Sequence, residues 1–347
     1  MSILSGKIDF FGLDIGSSAI RLVELKGDGP TKTLSRYAYV PIQGNISRSD
    51  APADRQKLAE IIKDLVSKSG VSTKNVAVGL YTQKVFTTVF ELDRAQKSEL
   101  SSAIKYQVDS IIPTPINDST IDWEVIGDSP KDASKIEILL SSITNEYLEN
   151  LLNMLESIEL NVIAFEPDTM AISRALVSSS DKQTQVILDF GSLSTDLVVV
   201  GNGVAYLSRS IPMGVQTMVR SIAQNLNIDL NQANQFLFKF GLETDKMQGK
   251  LIEALEYPLE SLFGEISKSI KYYMNRYPNS SVAKIVITGG LTSVPGFSNN
   301  LATKVGINVE QGNAWRNVIF NKSKSNELMT LSSQFGVAVG LAERANA

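Results

Sequence analysis

Two short stretches carry residues whose types and spacing suit phosphate chemistry. Residues 13–23 read LDIGSSAIRLV and residues 188–198 read LDFGSLSTDLV, an ungapped match at an offset of 175 residues. Each places an aspartate, Asp14 or Asp189, at the end of an apolar run, two residues before Gly16 or Gly191. A strand-turn-strand of this kind aims several backbone N–H groups at one point, a nest for phosphate oxygens. Glycine permits close approach, Ser17 and Ser18 add hydroxyl donors, and the carboxylate can hold magnesium directly or through water. One such turn is an ordinary hairpin with a capping Asp. Two at a half-chain offset describe facing turns that clamp a nucleotide polyphosphate. A third element, Ile285-Val-Ile-Thr-Gly-Gly290, is a buried strand ending in paired glycines, against which a flat adenosine moiety can lie.

Composition narrows the chemistry. The 347 residues contain no cysteine and no histidine, which removes disulfides, thiol nucleophiles, Cys/His zinc sites and every histidine-based triad. Any metal must sit on oxygen ligands, which points to magnesium. A net charge of −4 gives no electrostatic footprint for nucleic acid. The opening 25 residues are interrupted by Lys7, Asp9, Asp14 and Arg21, so neither a signal peptide nor a spanning segment is expected.

The elements that must position the turns follow from periodicity. Leu58, Ile61, Ile62, Leu65 and Val66 mark one helix; Leu100, Ile104, Val108, Ile111 and Ile112 another, stopped by Pro113 and Pro115; Leu148, Leu151, Leu152, Leu155 and Ile158 a third. Met218, Ile222 and Leu226 open a helical region that Leu255, Leu259, Leu262, Ile266, Ile270 and Tyr273 continue, with Pro258 near a helix start. Asn202-Gly203 reads as a two-residue hairpin turn. Gln311–Asn326 reads as a long surface loop. Strands alternating with helices in two halves predict an α/β protein with a cleft between domains. The boundaries are 1–180, with an insertion near 80–145, and 181–347, with a helical part near 228–280.

The set LDIGSS, FEPDTMAISRAL, LDFGSLSTD, IVITGGLTSVPG and FGVAVGLA resembles the actin-like ATPase superfamily. Within it the chain is similar, nearly end to end, to the PilM family of type IV pilus assembly proteins, relatives of the division protein FtsA. The stretch YQVDSIIPTPINDSTIDW, Tyr106–Trp123, matches the inserted subdomain of that branch. The resemblance implies a duplicated ribonuclease-H-like fold with an inserted α+β subdomain. It assigns Asp14, Gly16, Ser17 and Ser18 to the first phosphate loop and Gly191, Ser192, Ser194 and Thr195 to the second. Asp189 joins Asp14 on the magnesium side, Gly214, Gly289 and Gly290 join the nucleotide site, and Glu166 matches a glutamate that in hydrolysing relatives places metal or water. A carboxylate beside Pro167 also suits a helix N-terminus without any catalytic role.

Departures fall on the nucleoside side. Relatives carry Gly-Gly at Gly214-Val215, and Ala-Glu-x-x-Lys where this chain has Ala233-Asn234-Gln235-Phe236-Leu237; Lys239 lies about 200° away around a helix. Arg21 stands where Lys is usual. The implied function is a cytoplasmic scaffold of the pilus inner-membrane platform, held to the membrane through partners. It binds Mg-ATP and the N-terminal tail of the membrane protein PilN beside the insertion, with slow ATP turnover at most. Alternatives are a degenerate scaffold without nucleotide, a filament former, and a small-molecule kinase using Asp196 as base. Ile111, Ile112 and Trp123 either fill the core of the insertion or face the tail.

Overall fold

A computed structural model describes residues 8–27, 29–43, 46–94, 97–178, 180–243 and 249–344. Strands β1 (Phe11–Ile15), β2 (Ala19–Lys26) and β3 (Lys32–Pro41) form an antiparallel meander. Helix α1 (Pro52–Ser69) then crosses over, and β4 (Asn75–Leu80) returns parallel to β1. The predicted stripe is the buried side of α1, through Leu58, Ile62 and Leu65. The chain next builds β5 (Phe86–Asp93), α2 (Lys97–Val108), β6 (Ser119–Asp128) and β7 (Lys135–Thr144). These strands make a separate antiparallel sheet in the order β5-β7-β6. Helix α3 (Asn145–Glu156) leads to β8 (Asn161–Pro167), parallel to β4, and α4 (Asp168–Leu176) leaves the sheet.

The same path repeats. β9 (Thr184–Phe190), β10 (Thr195–Gly201) and β11 (Val204–Ile211) form a meander, its Asn202-Gly203 turn at positive φ in both residues. Helices α5 (Val215–Leu226), α6 (Leu230–Phe240) and α7 (Lys250–Arg276) follow. β12 (Val282–Gly289) then pairs parallel to β9, and α8 (Phe297–Val305) precedes β13 (Val309–Gln311). The sheet orders β3-β2-β1-β4-β8 and β11-β10-β9-β12-β13 are one topology used twice. The duplicated sequence motif is therefore a duplicated hairpin, β1–β2 and β9–β10.

Two expectations need correcting. Gln311–Asn326 is no surface loop: it carries β14 (Val318–Ile319), which pairs parallel to β3 and extends the first sheet. Trp315 in this crossover is 2% exposed, with Nε1–H donating to the Leu328 carbonyl at 2.7 Å. Burying so large a side chain between the sheets gives the segment an anchor worth a few kcal/mol. Pro258 lies inside α7, not at its start. Its missing N–H leaves the Ala254 carbonyl without the usual helical partner, and Ser221 Oγ of α5 donates to that oxygen at 2.7 Å.

Two features join the parts. The last helices, α9 (Ser325–Leu331) and α10 (Gly336–Glu343), bring the chain back to α4. A Cβ on Gly340 would lie 1.8 Å from the Ala171 carbonyl oxygen, so only glycine permits this crossing. The inserted sheet is tied to the second half by Glu137 of β7, which is 2% exposed. Its carboxylate accepts from Arg276 Nη2 at 2.8 Å and from the Tyr277 hydroxyl at 2.8 Å.

Candidate functional site

The two hairpins face each other across a cavity of about 620 Å³. Its wall includes Asp14, Gly16, Ser17 and Ser18 from the first turn and Asp189, Gly191, Ser192 and Ser194 from the second, with Gly289 and Gly290 at the end of β12. The two turns differ in charge at one equivalent position. Across β1–β2 Asp14 stands opposite Arg21, whose Nη1–H donates to Asp14 Oδ2 at 3.2 Å. Across β9–β10 Asp189 stands opposite Asp196. Like charges directly opposed in a ladder repel, so the second hairpin carries a strain that the first relieves with an arginine.

The sequence reading missed Asp168, the first residue of α4, which supplies a fourth carboxylate to this wall. Its Oδ1 is buried without a hydrogen-bond partner, and a Cβ on Gly79 would come within 2.3 Å of it. All four acids are pushed upward, burial being the largest cause in each. Asp14 is partly restored by Arg21, and Asp168 is raised further by Asp14, Asp196 and Asp189. Asp189 is pushed up to about 7, with Asp196 and Asp14 adding to burial. Asp196 is raised against the opposing hydrogen bonds of Ser210 and Thr82. Arg21 and Arg48 are cations that act on these acids; the Arg48 guanidinium lies 3.8 Å from the Tyr81 ring centroid. A cleft of four disfavoured carboxylates fits a hydrated divalent cation. Among the described residues no three acids converge to hold a metal alone, so a cation there would keep waters or share phosphate oxygens.

Three expected residues lie elsewhere. Glu166 is buried outside this cavity, its carboxylate closed by Arg174 and by Arg344 at 3.2 Å. The acid available for water or metal is thus two residues along, at Asp168. Thr195 is wholly buried, with Oγ1–H donating to the Met213 carbonyl at 2.7 Å. Gly214 caps α5 behind the second turn, where a Cβ would meet the Gly191 carbonyl oxygen at 2.5 Å. The N–H groups of Val215 and Gln216 are spent on the Gly191 and Ser192 carbonyls at 3.0 Å each.

Along α6 the cavity wall carries no charged side chain. Val215 crowds Gly290, whose Cβ would lie 2.7 Å from Val215 Cγ2. Leu230, Asn234 and Phe238 line the wall, whereas Leu237 is buried in the core. Lys239 is absent from this wall and lies 5.1 Å from the Phe240 ring centroid.

A second cavity, about 880 Å³, runs between the inserted sheet, the end of β8, helix α4 and the β10–β11 hairpin. Leu80, Val85, Leu148 and Phe165 form an apolar floor, Met170 and Val177 a wall on α4, and Glu166 and Arg174 sit at the charged end. Trp123 lines it from β6, while Ile112 is buried in the core of the insertion and Ile111 packs against that core.

Comparison with known proteins agrees with this architecture. A model of the type IV pilus assembly protein PilM family matches residues 12–346. A chain of the PilM–PilN type IV pilus biogenesis complex superposes with a TM-score of 0.82 at 22% identity, over 97% of this chain and 98% of that one. The ethanolamine utilization protein EutJ from Carboxydothermus hydrogenoformans gives 0.59 at 13% identity, over 96% and 89%. MreB5 of Spiroplasma citri bound to AMPPNP gives 0.57 at 11% identity, over 95% and 94%. The fold is that of the actin-like ATPases.

Proposed function

The chain belongs to the type IV pilus assembly protein PilM family, and on that premise we propose that it is a scaffold of the pilus platform that grips the N-terminal tail of PilN. The observation that carries this reading is the second cavity, which is long, floored by apolar side chains and open between the insertion and the first sheet. An extended tail loses conformational entropy on binding, so apolar anchors must supply the gain. A related fold solved as a PilM–PilN complex supports the choice of partner. Among the described residues no helix is long and apolar enough to cross a membrane. Attachment to the inner face of the cytoplasmic membrane, and to other platform proteins, then comes through such clamps.

The first cavity suits Mg-ATP. The turns at Gly16–Ser18 and Gly191–Ser192 would hold the polyphosphate, with Asp14, Asp168 and Asp189 facing magnesium through water. Bound magnesium would neutralise the phosphates and the opposed acids together. The AMPPNP-bound MreB5 supports a nucleotide in this fold. Glu166, sealed by arginines, takes no part in turnover, and Asp168 is the acid that would place water there. The test is calorimetry with a synthetic PilN tail. Binding tighter than ~100 μM, weakened at least tenfold by Met170→Asp, is expected. No binding, or ATP turnover near the ~10 per second of a median enzyme, would overturn the scaffold reading.

A further inference from the structure

We infer that a small pocket beside the nucleotide cavity binds a phosphate group, an assignment that rests on the nucleotide reading above. The pocket, about 50 Å³, lies between the turn Ile46–Arg48, the start of α1, the turn Thr82–Lys84 and α3. One water needs about 10–15 Å³ of such space. The pocket therefore takes a few waters or one small oxyanion, and no nucleoside.

Its wall is rich in donors. Arg48, Arg55 and Lys84 line it, with Ser47 and Tyr147 beside them. Ser47 Oγ and the Nε atoms of Arg48 and Arg55 are buried without a hydrogen-bond partner. Burial holds the Tyr147 hydroxyl well above its usual range, so it keeps its proton and remains a donor. Buried donors without acceptors are costly, and three in one place call for a group that accepts from several directions.

Charge separates an anion from water here. Arg48 rests on the Tyr81 ring and donates through Nη1 to Gln83 Oε1 at 2.8 Å. Arg55 Nη2 donates to the Asp50 carbonyl at 2.9 Å, and Lys84 Nζ lies 5.3 Å from the Tyr147 ring centroid. All these partners are neutral. The acid on this wall, Asp50, has its side chain 85% exposed and 4.0 Å from Lys84 Nζ, where solvent screens it. Water would meet the donors but leave the positive charge uncompensated; a phosphate group does both.

The position fits the source. Arg48 and Tyr81 line both this pocket and the nucleotide cavity. Gly79 is part of the pocket wall, and a Cβ there would lie 2.3 Å from Asp168 Oδ1, so Asp168 packs directly behind it. The group is either free orthophosphate or the terminal phosphate of a nucleotide next door.

The test is calorimetry of inorganic phosphate with the intact chain, alone, with saturating Mg-ADP and with saturating Mg-AMPPNP. Binding at about 1 mM or tighter is expected alone and with Mg-ADP. Arg55→Gln, outside the nucleotide cavity, should weaken it roughly tenfold and leave Mg-ADP affinity within about twofold. Lys84→Gln should do the same, and serves if the first variant fails to fold. Phosphate bound beside Mg-AMPPNP supports a site for free orthophosphate; phosphate excluded by Mg-AMPPNP but not by Mg-ADP supports entry of the terminal phosphate. No phosphate binding, or binding that neither variant weakens, overturns the pocket and leaves the nucleotide reading standing. Failure of both nucleotides to bind, with phosphate still sensitive to Arg55→Gln, overturns the nucleotide reading alone.

Discussion

Asp189→Asn should stabilise the nucleotide-free protein, and more so at high pH. The folded-state value rises from 3.8 to about 7 because the carboxyl is desolvated and faces Asp196 and Asp14. A raised acid costs no stability below the unfolded value. The cost grows as pH climbs from about 4 to about 7 and is constant above that. Between pH 5 and pH 8 the unscreened cost grows by about 2.6 kcal/mol, at 1.36 kcal/mol per pH unit. The cavity opens to solvent, so screening leaves about 1–1.5 kcal/mol. For domains of this size that corresponds to about 2–6 °C in Tm. The assay is thermal unfolding of both proteins at pH 5 and pH 8. The advantage of Asn should be larger at pH 8 by this margin, and magnesium at pH 8 should shrink it by stabilising the natural protein more. A variant destabilised equally at both pH values would show that Asp189 serves the hairpin as a structural acceptor, and the argument from opposed charges would fail.

Further outcomes follow from other contacts. Asp14→Ala should weaken Mg-ATP binding more than magnesium-free binding in calorimetry; equal losses would mean that Asp14 only holds Arg21 in place. Glu137→Ala strands the Arg276 guanidinium and should cost about 3–5 kcal/mol in urea unfolding. A loss under about 1 kcal/mol would mean the insertion is not fastened there. Ser221→Ala should cost about 1–2 kcal/mol by orphaning the Ala254 carbonyl. The same change on a Pro258→Ala background, where the helix regains its own N–H donor, should be nearly silent; simple additivity would refute the pairing.

Much of the fold is written in local signals. The duplicated Asp-x-Gly turns lie 175 residues apart, and the helix stripes at Leu58–Val66 and Leu148–Ile158 point inward as their period requires. The errors have equally local causes. Glu166 and Asp168 straddle Pro167, where the strand ends and α4 begins, and the change of backbone sends them to opposite cavities. Sequence spacing alone could not tell them apart. The crossover at 311–326 was illegible because its strands are three and two residues long, too short for alternation to register. Trp315 amid polar neighbours was the available clue. Pro258 misled because its carbonyl partner is supplied by Ser221, on another helix, a contact no local pattern encodes. The opposition of Asp189 and Asp196 was readable once the hairpin register was drawn, since Arg21 fills the equivalent place in the first copy.

The central claim is that this chain grips a PilN tail between its insertion and its first sheet. Hydrogen exchange of the full chain, with and without a synthetic tail, tests it most directly. Slowed exchange should appear along Ser119–Asp128 and through β8 and α4, with the β9–β13 sheet unchanged outside the β10–β11 turn. Slowed exchange confined to the second sheet and its helices, or none at saturating tail, would contradict it.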